Sequence, residues 1–488
     1  MTTAQVEQQR LLIGGQWVGA SSDRTFEKTD PYTGESAGSA AAATAQDAEA
    51  AADAAGEAFR EWSTTPPGRR RELLQRAAGL LRERAEEIAS GVTQETGGTF
   101  GWGMFNVDLA AGMLGEAAAQ TYAVTGEVIP SDVPGLLAMG VRQPAGVVVG
   151  IAPWNAPVIL GTRAIASPLA YGNTVVLKAS EVCPRTHGAI ARALDDAGLP
   201  PGVVNLITHD ADDAPEVVDA LIAHPAVRRI NFTGSTRVGR LIAEKAARHL
   251  KRVLLELGGK APLVVLADAD LEEAVAAANF GAFMHQGQVC MSTERIVIDR
   301  TVADPFATKL AERARALKVG DPRDPQTQIG PMVSRGALER VSELVADAVA
   351  HGATVLAGGE SEGPCFPPTV LQGVTPQMRI YGEESFGPVV GVLPVDGPEE
   401  AVRVANDTEY GLAAAVFGRH VPTALDVARQ IESGICHVNG ATVHDEPQMP
   451  FGGVKASGWG RFGGRAALEE FTELRWITVQ QGSRQYPL

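Results

Sequence analysis

The chain has 488 residues, too many for one small hydrophobic core, so two or three domains are expected. Its composition, 45% hydrophobic and 20% charged, is that of a globular protein, and no uninterrupted apolar run reaches the length of a membrane span. Acidic residues outnumber basic ones 58 to 42, and a formal charge of -16 repels phosphate backbones, which excludes nucleic acid as an expected partner.

The start, "MTTAQVEQQR", is polar and lacks the apolar segment of a secretory signal, so a cytoplasmic location is expected. Two Ala-rich helices are predicted next, over 46–62 and 68–90. The second carries Leu73, Leu74, Ala77, Leu80 and Leu81 at helical spacing. From residue 143 the texture changes. "AGVVVGIAPWN", "GNTVVLKAS", "GVVNLIT", "VRRINFTGS" and "KRVLLELGG" read as short buried strands, separated by helices near 158–170, 186–197, 214–223 and 236–249. Such alternation predicts an α/β fold with a parallel sheet covered on both faces, whose ligands bind at the carboxyl ends of the strands. A second alternating block runs from "APLVVLADAD" through "FMHQGQVCMSTER", "ERIVIDR" and a helix near 304–317 to about residue 455. Two such blocks imply two α/β domains with a cleft between them. The final "FTELRWITVQ" reads as an edge strand with too few partners of its own, expected to pair elsewhere, across a subunit interface.

The candidate site residues sit at the ends of these elements. The four cysteines, Cys183, Cys290, Cys365 and Cys436, are each more than 70 residues apart, with no CxxC or Cys/His cluster, so no metal site is expected. Cys290 is then either an inert buried thiol or a nucleophile. In "FTGSTRVG", Gly234, Ser235 and Gly239 bracket a strand-to-helix turn, which can bind a phosphate or simply cap the helix. "GWGRFG" (458–463) fits a dinucleotide fingerprint in letters but follows no convincing strand, and is read as a glycine-rich loop without a cofactor. Lys178 and Glu181 in "VVLKASE" can hold ribose hydroxyls, and a carboxylate there disfavours a 2′-phosphate; a solvated Lys/Glu pair is the plainer reading. Asn155 in "APWNAPV" can donate to an oxyanion or form an Asx turn. Glu256 closes an apolar strand in "LLELGGKAP", where desolvation suits a base and a salt bridge is the alternative.

Together with "EESFGPV" (383–389) and "PFGGVKASG" (450–458), these motifs occur in an order that resembles the NAD(P)-dependent aldehyde dehydrogenase superfamily over nearly the whole chain. The resemblance implies a Rossmann-like parallel-sheet cofactor domain over 1–122 and 145–256 and an α/β catalytic domain over 257–456. It also implies a small β oligomerisation arm over 123–144 and 470–488, in a homodimer or homotetramer. It gives Cys290 the role of nucleophile and Glu256 that of the base for the hydrolytic water, with Asn155 and the Cys290 N–H as oxyanion hole. Lys178 and Glu181 are assigned to the adenosine ribose, Gly234, Ser235, Gly239 and Trp154 to the pyrophosphate, and Glu384 with Phe386 to the nicotinamide ribose. NAD is the implied cofactor, with NADP left open. Gly287 is read as leaving room for the nicotinamide, and His285 as a structural or pocket-lining residue.

The run around 433–464 looks most like bacterial dehydrogenases of vanillin, salicylaldehyde and benzaldehyde. Ala156, Gly440 and Ala441 are small and leave space for a ring, with Trp102, Phe283, Met284, Val443 and Phe451 as candidate walls. The expected reaction is NAD-dependent oxidation of an aromatic aldehyde to its acid through a Cys290 thioester. The alternatives are an aliphatic or semialdehyde substrate, a CoA-acylating dehydrogenase and, more remotely, a cofactor-independent thiol esterase.

Overall fold

The computed structural model describes residues 8–487, so most of the polar amino-terminal segment lies outside the described residues. An eight-stranded sheet has the order Gly458–Trp459, Arg252–Glu256, Val227–Thr233, Val147–Ile151, Thr174–Lys178, Val204–Ile207, Leu11–Ile13, Gln16–Val18. Its five central strands are parallel, and the strands outside them pair antiparallel. The segments 147–151 and 174–178 are buried at every position, as expected of strands covered by helices on both faces. The chain builds outward from Val147–Ile151 to one side and then returns to its other side with Val227–Thr233. That reversal opens a crevice at the carboxyl ends of these two strands, the usual seat of a ligand in such sheets.

The second sheet has seven strands, in the order Thr354–Ala357, Thr369–Gln372, Val389–Val395, Thr293–Asp299, Ala261–Val265, Ala413–Phe417, Ile435–Val438, antiparallel only at the first pair. Cys290 precedes Thr293–Asp299 and Glu384 precedes Val389–Val395. The second sheet therefore offers the amino ends of its strands to the carboxyl ends of the first.

Three expectations change. The helix anticipated over 68–90 is two helices, Pro67–Glu83 and Ala85–Thr96, separated at Arg84, whose φ/ψ of -104/17 leaves the helical region. The strand Thr472–Gln480 does find a partner in its own chain. It runs antiparallel to Leu136–Pro144 over nine residue pairs, from Thr472 opposite Pro144 to Gln480 opposite Leu136, and Gly126–Ile129 completes a three-stranded sheet. Sequence reading passes over this pairing because more than 300 residues separate the two strands. Its other edge pairs with no strand among the described residues and carries exposed Leu474 and Trp476. Finally, residues Gly458 and Trp459 of the glycine-rich loop form a short strand opposite Glu256 and Leu255.

A further helix, Phe100–Ala119, escapes the periodicity because Gly101, Gly103, Gly112 and Gly115 dilute it. Packing compensates for this. A Cβ at Gly103 would lie 2.6 Å from the Ala89 Cα, so glycine lets this helix approach Ala85–Thr96 closely.

Candidate active site

A cleft of about 460 Å³ opens where the two sheets face each other, and Trp154, Asn155, Gly234, Glu256, Cys290 and Glu384 all line it. The first sheet supplies one wall. Asn155 follows Val147–Ile151, and its side chain is buried, donating through Nδ2 to the Gln288 carbonyl at 3.0 Å. One amide proton is thus committed two residues from Cys290, and the second is free to serve another acceptor. The Trp102 indole N–H donates to the Asn155 carbonyl at 3.1 Å and fixes the backbone from the far side. Gly234 follows the next strand and donates its N–H to the Glu256 carbonyl at 3.0 Å. A Cβ there would strike the Phe232 ring at 2.5 Å, and one at Gly239 would strike Leu257 at 2.5 Å. The Ser235 hydroxyl caps the helix Thr236–Arg248 by accepting from the Val238 N–H. Capping and an open helix start therefore coexist, and Ser235, Thr236 and Arg237 of that start line the cleft.

Glu256 lies at the bottom. It is 1% exposed, and neither carboxylate oxygen makes a well-formed hydrogen bond. Burial raises its pKa to about 7, opposed by the Arg163 charge and the nearby Cys290 thiol and reinforced by Asp445. The thiol is near enough to act on this titration without meeting hydrogen-bond geometry. Cys290 responds in kind. Burial first, then the Glu256 carboxylate, push its thiol well above the ordinary value, while Arg163 pulls it down. Glu384 reaches over from the second sheet, accepts from the Gly259 N–H at 2.8 Å, and is pushed up to about 8 by burial and by Glu294.

The loop carrying Cys290 is held by contacts that its sequence does not announce. His285 and Gln286 adopt left-handed φ values of 50° and 57°. Gln286 donates to the Gly97 and Pro331 carbonyls, and His285 stacks on Trp102 with ring centroids 4.8 Å apart. Gly287 has φ 68°, and a Cβ there would overlap the Gly387 carbonyl at 2.1 Å. Close packing on the Glu384–Phe386 loop therefore accounts for this glycine directly. The Cys290 N–H has no hydrogen-bond partner among the described residues. Phe386, itself at φ 49°, meets Trp154 edge to face at 5.8 Å.

Lys178 and Glu181 lie apart from this cluster, at the carboxyl end of the neighbouring strand. Lys178 is buried, and Glu181 is half-buried beside it. Of the anticipated pocket walls, Trp102, Ala156 and Phe451 are buried in one core, against which Met284, Val443 and Cys290 pack. Phe283 is not brought there: it points into the separate core beneath the second sheet, with Leu263 and Ile296. Its place on the last turn of Leu271–Phe283, one residue before the loop turns, sends it to the opposite face from Met284.

Two ion pairs were missed by the sequence reading. Lys260 and Glu294, both fully buried, form one; Glu294 also accepts the Ser385 N–H at 2.9 Å and so fastens the Glu384–Phe386 loop to the second sheet. Arg163 and Asp445 form the other, with Arg163 lying 4.2 Å over the Phe451 ring. A lone arginine in the apolar run "PVILGTRAIASPLA" was a legible signal; Asp445, in a polar loop, gave none. Among the described residues no group of His, Cys, Asp and Glu could hold a metal ion, and no helix is long and apolar enough to cross a membrane.

Residues 17–477 match the model of the aldehyde dehydrogenase family. The chain is 57% identical to vanillin dehydrogenase of Pseudomonas sp. (strain HR199 / DSM 7063), over 98% of this chain and 99% of that one. It is 42% identical to benzaldehyde dehydrogenase [NAD(+)] of Pseudomonas putida, over 98% and 97%. Its structure superposes on that of a salicylaldehyde dehydrogenase from Pseudomonas putida G7, complexed with salicylaldehyde, with a TM-score of 0.97 at 47% identity, covering 99% of this chain and 100% of that one.

Proposed function

The chain belongs to the aldehyde dehydrogenase family, and from that premise we propose that it oxidises an aromatic aldehyde to the carboxylic acid with NAD. The observation that carries this reading is the convergence of Cys290, Glu256 and Asn155 on one cleft that Gly234, Glu384 and Phe386 also line.

The residues present fit a dinucleotide. Gly234, with no room for a Cβ beside Phe232, keeps backbone N–H groups accessible at the start of Thr236–Arg248, where a pyrophosphate is favoured. Ser235, Gly239 and Trp154 belong to the same end of the site. Lys178 and Glu181 hold the adenosine ribose, and the Glu181 carboxylate disfavours the 2′-phosphate of NADP. Glu384 and Phe386 hold the nicotinamide end. When bound, NAD supplies the acceptor for the aldehyde hydride.

The chain's own groups do the rest. At neutral pH the Cys290 thiol keeps its proton, and Glu256, with a pKa of about 7, is the adjacent base able to take it. Cys290 Sγ adds to the aldehyde carbon and places negative charge on oxygen. The uncommitted Asn155 N–H and the Cys290 N–H stabilise that charge; losing one such donor costs about 3 kcal/mol. Loss of hydride leaves an acyl-Cys290 thioester. Glu256, which lines the cleft, first passes the thiol's proton to solvent and then takes one from water; the hydroxide attacks the thioester carbon, the C–S bond breaks to release the acid, and the leaving thiolate regains a proton from Glu256. A base in place for water favours hydrolysis over transfer to CoA.

Under the same reading, 1–122 with 145–256 form the cofactor domain, 257–456 the catalytic domain, and 123–144 with 470–488 an arm. The edge of Thr472–Gln480 that pairs with no described strand, with Leu474 and Trp476 exposed, supports a homodimer or homotetramer. Four free cysteines support a reducing, cytoplasmic setting. The test is kcat/KM for a panel of benzaldehydes against aliphatic aldehydes and semialdehydes, with NAD and with NADP, followed by NADH or NADPH absorbance. Benzaldehydes with NAD are expected to lead. An aliphatic preference defeats the aromatic assignment, and acid formation without NADH defeats the dehydrogenase mechanism.

A further inference from the structure

Two loops of the site leave neighbouring strands of the first sheet. Ile151 is paired with Lys178, and the Ala152 N–H donates to the Lys178 carbonyl at 3.3 Å. Beyond that point one loop runs through Asn155 into the helix Pro157–Ala170, and the other runs through Ser180 and Glu181 into Pro184–Asp196. His187, on the first turn of the second helix, connects the two. It is fully buried, its Nδ1 accepts the Ser180 N–H at 3.1 Å, and its Nε2 lies 3.1 Å from the Pro157 carbonyl. Because Nδ1 accepts, the proton of a neutral imidazole sits on Nε2, from which it is donated to Pro157. Burial, and then the Lys178 charge, keep the ring neutral by lowering its pKa to about 3. The ring is packed tightly from the side of Pro157–Ala170: a Cβ at Gly161 would lie 2.9 Å from His187 Cδ2 and 2.6 Å from Ile190 Cδ1. An apolar side chain at 187 would leave the buried Ser180 N–H without this acceptor, a loss that native structures seldom carry.

We propose that His187 is a positioning residue for the oxidation: one imidazole ties the loop of Lys178 and Glu181 to the helix start behind Asn155, and so fixes the adenosine end of the cofactor site relative to the oxyanion donor. This rests on the roles given above to Lys178, Glu181 and Asn155. The cofactor loop is held through Nδ1 and the Asn155 side through Nε2, so each link can be cut by itself.

His187→Gln places its amide near the position of Nε2, keeping the bond to Pro157 and releasing Ser180. His187→Asn places its amide near Nδ1, keeping Ser180 and releasing Pro157. Calorimetry without aldehyde gives Kd for NAD, and steady-state rates at saturating NAD and aldehyde give kcat. His187→Gln is expected to raise Kd about tenfold with a much smaller effect on kcat, and His187→Asn to lower kcat about tenfold with a much smaller effect on Kd. A general loss of packing would lower Tm in both variants without this split. Both variants changing Kd and kcat by the same factors, or neither changing either, overturns the proposal. Should neither variant fold, the native enzyme decides: ¹⁵N NMR of the imidazole is expected to show His187 protonated at Nε2, and a proton on Nδ1 overturns the bridge. Glu181→Gln is the control for the underlying roles. If it binds NAD as tightly as the native enzyme does, the ribose assignment fails, and the inference with it.

Discussion

Replacing Glu256 by glutamine tests the site through stability and chemistry at once. The native carboxyl has a pKa of about 7 against an ordinary value of 4.5. Because the folded value is raised, the folded protein binds a proton more tightly than the unfolded chain. Stability contributed by this group is therefore intact below about pH 4.5 and is lost as pH rises towards 7. At about 1.4 kcal/mol per pH unit, the ionised carboxylate destabilises the fold by about 3 kcal/mol above that window, with solvent relaxation acting only to reduce the figure. An unfolding entropy of about 2 cal/mol/K per residue turns this, for a chain of this length, into about 3 °C. Thermal unfolding of native enzyme and Glu256→Gln, each at pH 5 and pH 8.5, gives the comparison. The variant is expected to gain about 3 °C on the native protein between the two pH values. A difference in Tm that stays constant would mean that Glu256 titrates as an ordinary solvated carboxylate, and the argument from burial would fail. The same variant, mixed with aldehyde and NAD, should give one burst of NADH and then stall as the thioester accumulates; undiminished steady turnover would assign the base elsewhere.

Cys290→Ala should abolish oxidation while leaving the affinity for NAD, measured by calorimetry, within a few-fold of native; substantial residual turnover would move the nucleophile. In the native enzyme the deacylation rate should rise with pH through about 7, since only the ionised Glu256 can act as base, and a flat single-turnover profile from pH 5.5 to 8.5 would contradict this. Glu294→Gln leaves Lys260 buried without its counter-ion and should cost about 3–5 kcal/mol, seen as a lower denaturation midpoint, together with a raised KM for NAD as the Glu384 loop loosens. Trp102→Phe keeps the ring stack but removes the N–H to the Asn155 carbonyl; a kcat loss without a change in Tm greater than about 2 °C is expected, and an unaltered kcat would show that Asn155 needs no such support.

Much of the site was readable because its residues sit at the ends of strands and helices. Asn155, Lys178, Gly234 and Glu256 follow apolar runs whose period marks them as strands, and in a parallel sheet every such end falls on the same edge. Local sequence thus determined which residues share the ligand edge of the first sheet, and the glycines at 234 and 239 where backbone must come close. It misjudged Phe283, because one step at the end of a helix changes the face, and local pattern does not say where the helix stops. It missed the partner of Thr472–Gln480 and the helix Phe100–Ala119, whose Gly103 is explained by close packing on Ala89 of the neighbouring helix. Only the tertiary structure brought the amino edge of the second sheet, with Cys290 and Glu384, against the carboxyl edge of the first. It alone paired Arg163 with Asp445 across 282 positions and left one oxygen of that pair free. The physical reason is the range of the forces. Backbone preference and hydrophobic period act over a few residues, while the desolvation that tunes Glu256 and the ion pairs that fix the loops exist only once distant segments have excluded water together.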